Sequence, residues 1–306
     1  MSADGQASVT IVTPCLNRAD RIAAAVESVR AQTYHGPIEH LVIDGGSTDG
    51  TLDLLNRYPN VTVRSEPDKN LYDAINKGLS LAKGSIIGLL NSDDIYRPDA
   101  VAKAVEALEN APAVAMACGG AEIVDDMGNV LRRHDQTENR SLEFHDLLFA
   151  VPIINARFFR RSVFDRVRPF DIRYSIIADR EFLLRAALAG ERTTVIDGIV
   201  CIYGHHRDSL TIGGQHAWDR FSQENMQMVD DWLARQPPIS PAITSELMQF
   251  HAHSVLMGVA AAALRGDLSA IATIMRRGKA LDPWWSAKAA GLFADWVGKR
   301  LRPRKN

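Results

Sequence analysis

A chain of 306 residues that is 46% hydrophobic and 24% charged has the composition of a folded globular protein, with room for one large α/β domain and an appendage. The net charge of -2 hides an asymmetry: from Arg276 onward nine basic residues oppose only Asp282 and Asp295, a local charge of +7, so the remaining body carries -9. An acidic body excludes general nucleic-acid binding. Cys15, Cys118 and Cys201 are far apart and lack CxxC spacing, which argues against a disulfide framework or a zinc site and fits a reducing, cytoplasmic compartment. The N-terminal residues show neither a basic n-region nor an apolar h-region, so no signal peptide is expected. No stretch reads as long and apolar enough to span a bilayer, which takes about 20 residues.

In chain order, "SVTIVTP" (8–14) reads as a β-branched strand stopped by Pro14. A helix follows, with Ile22, Val26 and Val29 on one face. "IEHLVIDGG" is a second strand broken by Gly45 and Gly46, "TLDLLNRY" a short helix and "NVTVRSE" a third strand. "LYDAINKGLSLAKG" is a helix ended by Gly84, and "SIIGLL" a fourth strand. Strand and helix alternating in units of about 30 residues predict a parallel sheet with right-handed crossovers. In such sheets ligands gather beyond the carboxyl ends of the strands. Further on come the helix "DAVAKAVEALEN", the strand "AVAMACGGAEIVD", a polar excursion over 125–139, the helix "ADREFLLRAALAG" and one or two strands in "TTVIDGIVCIYG". From Trp218 the pattern is helical, with "QPPISP" (236–241) a hinge. The expected division is a catalytic domain over 1–215 and a helical extension over 216–306.

Three strand ends carry unusual chemistry: "TPCLNR", "DGGSTDGT" and "NSDD". In "VIDGGSTDGT" a strand delivers Asp44, glycines permit a turn, and Ser47, Thr48 and Asp49 offer a helix cap. Asp44 is suited to accept hydrogen bonds from a nucleobase or a ribose; a plain strand-to-helix turn is the ordinary alternative. In "GSIIGLLNSDD" a buried strand ends in two adjacent carboxylates. Charged groups leave water at a high cost unless paired or bound to a cation. Asp93 could hold Mg²⁺ or Mn²⁺, and through it a diphosphate. An Asx turn or a helix cap is the alternative, and suits Asp94 and Asp99 better.

Taken together, "TIVTPCLNR", "LVIDGGSTDGT", "SEPDKNLYDAINKG" and "GSIIGLLNSDD", in this order, strongly resemble family 2 glycosyltransferases. The close resemblance covers 8–99, with weaker similarity to about residue 211. It implies the GT-A fold, a Rossmann-like, mostly parallel sheet flanked by helices, and sugar transfer from a nucleoside-diphosphate sugar. On this resemblance Thr13, Pro14 and Asn17 line the nucleotide site and Asp44 contacts the base. Asp68, Lys69, Asn76 and Lys77 lie beneath the ribose and phosphates. Asp93 matches the metal-binding aspartate of a DxD-like motif, here Ser92-Asp93-Asp94, with Ser92 beside the donor. The implied cofactor is Mn²⁺ or Mg²⁺. Asp179 falls at the general base of an inverting transfer, with Glu181 the runner-up and Arg185 a neighbour on the same helix. His206 and Ser209 match a segment near the diphosphate, with His206 suited to ligate the cation or to neutralise phosphate charge; an ordinary loop histidine is the alternative.

The departures are Asn70 for a usual glycine, Asn155 where relatives read histidine, Arg168 for a glycine, Ala178 for an acidic residue and Gly204 for a frequent arginine. Asn155 implies a changed acceptor. The implied acceptor class is a saccharide or lipid-linked glycan in surface polysaccharide biosynthesis. The tail combines Trp284, Trp285, Leu292, Phe293, Trp296 and Val297 with Lys288, Lys299 and a cationic end. Those residues suit either an anionic membrane surface or a terminal helix packed on the core. A nucleotidylyltransferase would show a glycine-rich basic loop after the first strand, which "TPCLNRADR" lacks. A non-catalytic nucleotide-sugar-binding or assembly protein is the other alternative.

Overall fold

The computed structural model describes residues 6–135, 142–150, 153–206 and 215–291. The chain separates into two compact units, residues 1–206 and 207–306.

The first unit is built on a mixed sheet. Strands β1 (Val9–Cys15), β2 (Ile38–Asp44), β3 (Val61–Ser65) and β4 (Ile86–Leu89) run parallel, in the order β3-β2-β1-β4. All seven residues of β1 are buried, as a strand covered on both faces requires. Pro14 does not stop this strand. Pairing with β4 ends at Val12, so the missing N–H of Pro14 falls beyond that ladder and its partner on the other side is Ile43. Helix α1 (Ile22–Arg30) buries Ile22, Ala25, Val26 and Val29, the face expected from spacing. After the short α2 (Thr51–Leu55), α3 (Leu71–Leu81) packs on β1 and β2. A Cβ at Gly78 of α3 would lie 2.3 Å from Val12 Cγ1, so only glycine permits this approach of helix to sheet. Helix α3 ends before Gly84, because Ala82 turns to extended backbone.

The second half departs from a purely parallel sheet. After β5 (Ile95–Tyr96) and α4 (Ala100–Glu109), β6 (Met116–Val124) turns into β7 (Val130–His134), an antiparallel partner. Much of the polar excursion is therefore the outer strand of a hairpin, and residues 136–141 lie outside the described ones. Helix α5 (Phe144–Phe149) and a single 3₁₀ turn (Ile154–Ala156) lead to β8 (Arg157–Arg160), which inserts antiparallel between β4 and β6. Helices α6 (Ser162–Val167) and α7 (Ala178–Leu188) precede β9 (Thr193–Gly204). This one long strand runs parallel to β6 with two register shifts and antiparallel to β5. An aromatic cluster joins these helices to α3: Phe164–Phe182 at 5.2 Å, Phe170–Phe182 at 4.9 Å and Tyr72–Phe170 at 5.3 Å between ring centroids. Such ring pairs add about 0.5–1.5 kcal/mol each beyond their buried area.

The second unit contains α8 (Gln215–Leu233), α9 (Pro241–Leu264) and α10 (Leu268–Leu281). Ser240 caps α9 by accepting from Ile243 N, with proline at the first helical position. One expectation needs correction: α9 has 24 residues, includes an 18-residue stretch with a mean hydropathy of 1.4, and is long and apolar enough to cross a membrane. It packs against α8 and α10 and buries Leu247, Phe250, Ala252 and Val255, as the core helix of a small bundle does. Beyond it, Trp284 is exposed, Lys288 pairs with buried Asp282 at 2.7 Å and Arg277 pairs with Asp230 at 2.9 Å. Part of the basic charge is thus neutralised within this unit. Leu292, Phe293, Trp296, Val297 and Lys299 lie outside the described residues.

Candidate active site

Parallel pairing brings the carboxyl ends of β1, β2 and β4 side by side, with Cys15 directly opposite Asp44. Asp44 is fully buried. Its Oδ2 accepts from Gly46 N at 3.0 Å, Ser47 N at 3.0 Å and Ser65 Oγ at 2.7 Å, while Oδ1 accepts from Ser47 Oγ. The carboxylate thus shapes its own loop, and Oδ1 retains one lone pair for a further donor. Asn17, at φ 52°, couples the two neighbouring loops. Its N–H donates to Ser47 Oγ at 2.7 Å and its Oδ1 accepts from Thr48 N at 2.9 Å. Asp49 extends the lattice by accepting from Ala19 N and Thr51 N. Thr13 and Pro14 are buried within β1, and the Thr13 hydroxyl meets His40 Nε2 at 2.9 Å. Burial lowers the His40 pKa to about 4, so that ring is neutral near pH 7.

The tip after β4 separates its two carboxylates into different environments. Asp94 is 1% exposed. It accepts from Asn155 Nδ2 and, at 2.9 Å, from Gly204 N, and burial beside Asp93 raises its pKa well above the usual carboxylate range. It is no helix cap: it ties the end of β4 to the 3₁₀ turn and to the end of β9. Asp99 stands at the N-cap of α4 without a side-chain cap bond and pairs instead with Lys103 at 2.8 Å. Asp93 is only partly buried, and its Oδ2 lies 2.7 Å from His206 Nε2. A Cβ on Gly204 would fall 2.5 Å from the Asp93 carbonyl oxygen, so β9 reaches the tip only because residue 204 has no side chain. Ser92 is buried, and its side chain bonds the Cys15 thiol, whose pKa burial chiefly pushes up to about 12.

No cluster of three or more His, Cys, Asp or Glu close enough to hold a metal occurs among the described residues. Asp93 and His206 nevertheless form a two-sided donor set of one carboxylate and one imidazole. That set fits Mn²⁺ or Mg²⁺, which bind proteins through few side chains and complete their shell with substrate phosphates and water. Ser209 lies outside the described residues.

Helix α3 organises the remaining candidates. Lys77 Nζ sits among Asp68 at 2.5 Å, Glu66 at 3.5 Å and Asp73 at 3.8 Å. Lys69 has an exposed side chain. Asn76 is fully engaged with the backbone of Phe170, donating Nδ2 to its oxygen at 2.8 Å and accepting its N–H at 3.0 Å. Asn70 caps α3 and also donates Nδ2 to Ile172 O at 2.8 Å. The segment gripped in this way runs into α7, whose second residue is Asp179. That carboxylate accepts from Arg180 N at 2.7 Å, and the nearby Tyr72 hydroxyl donates to the Ile176 carbonyl at 3.2 Å. Burial raises its pKa to about 6 against the opposing pull of Arg180 and Tyr72. Glu181 is 3% exposed and pairs with Arg185 Nε at 2.7 Å. Arg185 also donates to the carbonyls of Val167, Arg168 and Pro169.

Some contributors escaped the sequence reading. Ser65, Cys15, Tyr72 and Asn155 as the partner of Asp94 act through contacts that no local motif encodes. Gly204 had a signal, a glycine at a strand end just before "HH".

Residues 10–168 match the model of Glycosyl transferase family 2. An uncharacterised glycosyltransferase of Mycobacterium tuberculosis is 36% identical over 215 residues, covering 68% of this chain and 80% of that protein. A "PGL/p-HBAD biosynthesis glycosyltransferase" of Mycobacterium bovis is 34% identical over 185 residues, 58% of this chain and 68% of that one. Among solved structures, Staphylococcus aureus TarS 1-349 in complex with UDP-GlcNAc superposes with a TM-score of 0.65 at 15% identity, covering 92% of this chain and 88% of that one. The mannosyltransferase PcManGT from Pyrobaculum calidifontis, in complex with GDP-Man and Mn²⁺, gives 0.59 at 23% identity, covering 98% and 88%. These likenesses show the GT-A fold. With the family model spanning more than half of its length, the chain belongs to glycosyltransferase family 2.

Proposed function

We propose that the protein transfers a sugar from a nucleoside-diphosphate sugar to a hydroxyl of a saccharide or lipid-linked glycan, with inversion, in surface glycan biosynthesis at the cytoplasmic side of a membrane. The observation that carries this reading is the pair Asp93–His206, assembled at the carboxyl end of the parallel strands where such sheets bind ligands. The relatives support the substrate class: fold neighbours hold UDP-GlcNAc and GDP-Man, and a relative carries the name "PGL/p-HBAD biosynthesis glycosyltransferase".

In this reading Asp44 and the lattice of Asn17, Ser47 and Asp49 shape the nucleoside pocket, and Asp44 Oδ1 accepts from the base or ribose. Thr13, Pro14 and Ser92 support that pocket from within the strand ends. Asp68 and Lys77, with exposed Lys69, form its charged wall. Asn76 contributes by holding Phe170. Asp93 and His206 would hold the divalent cation, which when bound would stabilise negative charge on the departing diphosphate. Asp179 removes the acceptor proton as the hydroxyl oxygen bonds the anomeric carbon; the bond from that carbon to the diphosphate breaks, and its electron pair leaves with the diphosphate. A base with a pKa of about 6 is ionised at neutral pH yet takes a proton more readily than an ordinary aspartate.

The test is calorimetric titration of UDP, GDP and dTDP with Mn²⁺ and with chelator, into wild type and Asp93→Ala. Expected is binding of one nucleotide that weakens at least tenfold with chelator and in the variant. Folded protein that binds none of the three, or binds equally in chelator, overturns the cation–diphosphate site.

A further inference from the structure

Helix α10 has two sides of different character. Its inward side packs on α9: a Cβ on Gly278 would lie 2.9 Å from both Val255 methyl carbons, so only glycine lets the two helices meet there. On the other side Leu268, Ala272, Met275 and Lys279 follow one another at i, i+4, i+7 and i+11, and all four are exposed. Large apolar side chains also stand in water just before the helix, at Leu264, 84% exposed, and just after it, at Trp284, 74% exposed. Single exposed apolar residues are ordinary, but several large ones along one short stretch mark a contact surface.

The uncommitted charge on this surface is positive. Arg277 and Lys288 are held by Asp230 and Asp282. Arg276 donates to Ala272 O at 3.2 Å and to Thr273 Oγ1 at 3.4 Å on its own helix, and among the described residues no carboxylate pairs with it or with Lys279. Asp267 is exposed too, but it caps the helix by accepting from Ala270 N at 2.9 Å, where the positive end of the helix dipole offsets its charge. Beyond Gly291 the sequence adds five basic residues against Asp295.

We propose that the exposed side of α10, with Leu264 and Trp284, is a docking surface for an anionic lipid bilayer. Leu264, Leu268 and Met275 enter the boundary between headgroups and acyl chains, Trp284 sits at headgroup level, and Arg276 and Lys279 meet the lipid phosphates. Charge decides the occupant. A second copy of the chain would bring the same cations to the contact and be repelled, whereas an anionic membrane attracts them. The proposal rests on the proposed reaction only for its purpose, which is to hold the enzyme where a lipid-linked acceptor is found.

The experiment is flotation of the full chain, without nucleotide, with vesicles of phosphatidylcholine alone and of phosphatidylcholine mixed with phosphatidylglycerol. Wild type should float with the mixed vesicles and stay in solution with the neutral ones. The double variant Leu268→Ser/Met275→Ser should lose at least tenfold in partitioning. Arg276→Gln/Lys279→Gln should lose roughly fivefold for each charge removed. All four substituted side chains are exposed, so both variants should melt near the wild-type temperature. Wild type that ignores anionic vesicles overturns the proposal, as does wild-type partitioning in both variants, which would leave the binding to the basic end of the chain. Sedimentation velocity without lipid tests the other occupant: a dimer that Leu268→Ser/Met275→Ser converts to monomer would give this surface to a second copy and overturn the membrane assignment. Because no nucleotide is present, failure of the cation–diphosphate site would leave the flotation result unchanged.

Discussion

Arg168 adopts φ 68° and ψ 156°, a region of backbone space that is essentially reserved for glycine. Its side chain is exposed, so little packing is lost by removing it. The strained conformation persists because Arg185 donates to the carbonyls of Val167, Arg168 and Pro169, and Asn76 clasps Phe170 just beyond. Those bonds are to backbone and survive substitution. Relief of strain at such a position is about 1–3 kcal/mol. Against it stands the extra unfolded-state freedom of glycine, about 0.5–1 kcal/mol. Arg168→Gly is therefore expected to stabilise the first unit by about 0.5–2 kcal/mol. At about 2.1 cal/mol/K per residue over the 206 residues of that unit, the melting temperature rises by about 1–5 °C. Arg168→Ala, which keeps a Cβ, is the control and should melt near wild type. Scanning calorimetry decides: a glycine variant melting no higher than the alanine variant would refute the strain argument.

For Asp179 the folded pKa of about 6 lies above the model value of 3.8, so the folded state binds this proton more tightly than the unfolded one. Native stability therefore falls as pH rises from about 4 to 6, and the penalty is fully present above 6. Asp179→Asn should be more stable than wild type at pH 7 by about 1–3 kcal/mol, equal to it below about pH 4, and inactive in transfer; paired urea melts at the two pH values check this. Gly204→Ala places a methyl group against the Asp93 carbonyl and should cost about 1–3 kcal/mol while weakening Mn²⁺-dependent nucleotide binding, read by melting and calorimetry together. Asn155→Ala removes the side-chain donor to buried Asp94 and should destabilise by about 1–3 kcal/mol in urea unfolding; stability equal to wild type would show that Asp94 does not depend on Asn155.

The first half was legible because its information is local: β-branched runs, helical spacing and glycine breaks mark each element within about ten residues. The second half was less so. Whether "VLRRH" pairs with β6, or β8 inserts antiparallel, depends on partners far along the chain. The site divides the same way. Asp93 and Asp179 stand out because their motifs are short and ordered. The difference between Asp93 and Asp94 was not legible, since it is made by Asn155 and Gly204 closing over one carboxylate and leaving the other. Likewise nothing near Asn76 in the sequence shows that its amide is consumed by Phe170, 94 residues away. The departure at Arg168 was visible as a letter, but its meaning is a dihedral angle.

The separation of Asp93 from His206 by 113 positions has a consequence for how the protein comes into being. During synthesis the first four strands and their helices can leave the ribosome as a connected block, with the acidic tip already formed. The partner histidine arrives only after β9 has been made and has threaded in beside β6. Until then the tip is two neighbouring carboxylates without the imidazole, and β6 has an open edge. The completed pair is in this sense a late product of translation, and a nascent chain halted near residue 200 would carry the fold's front half without the Asp93–His206 contact.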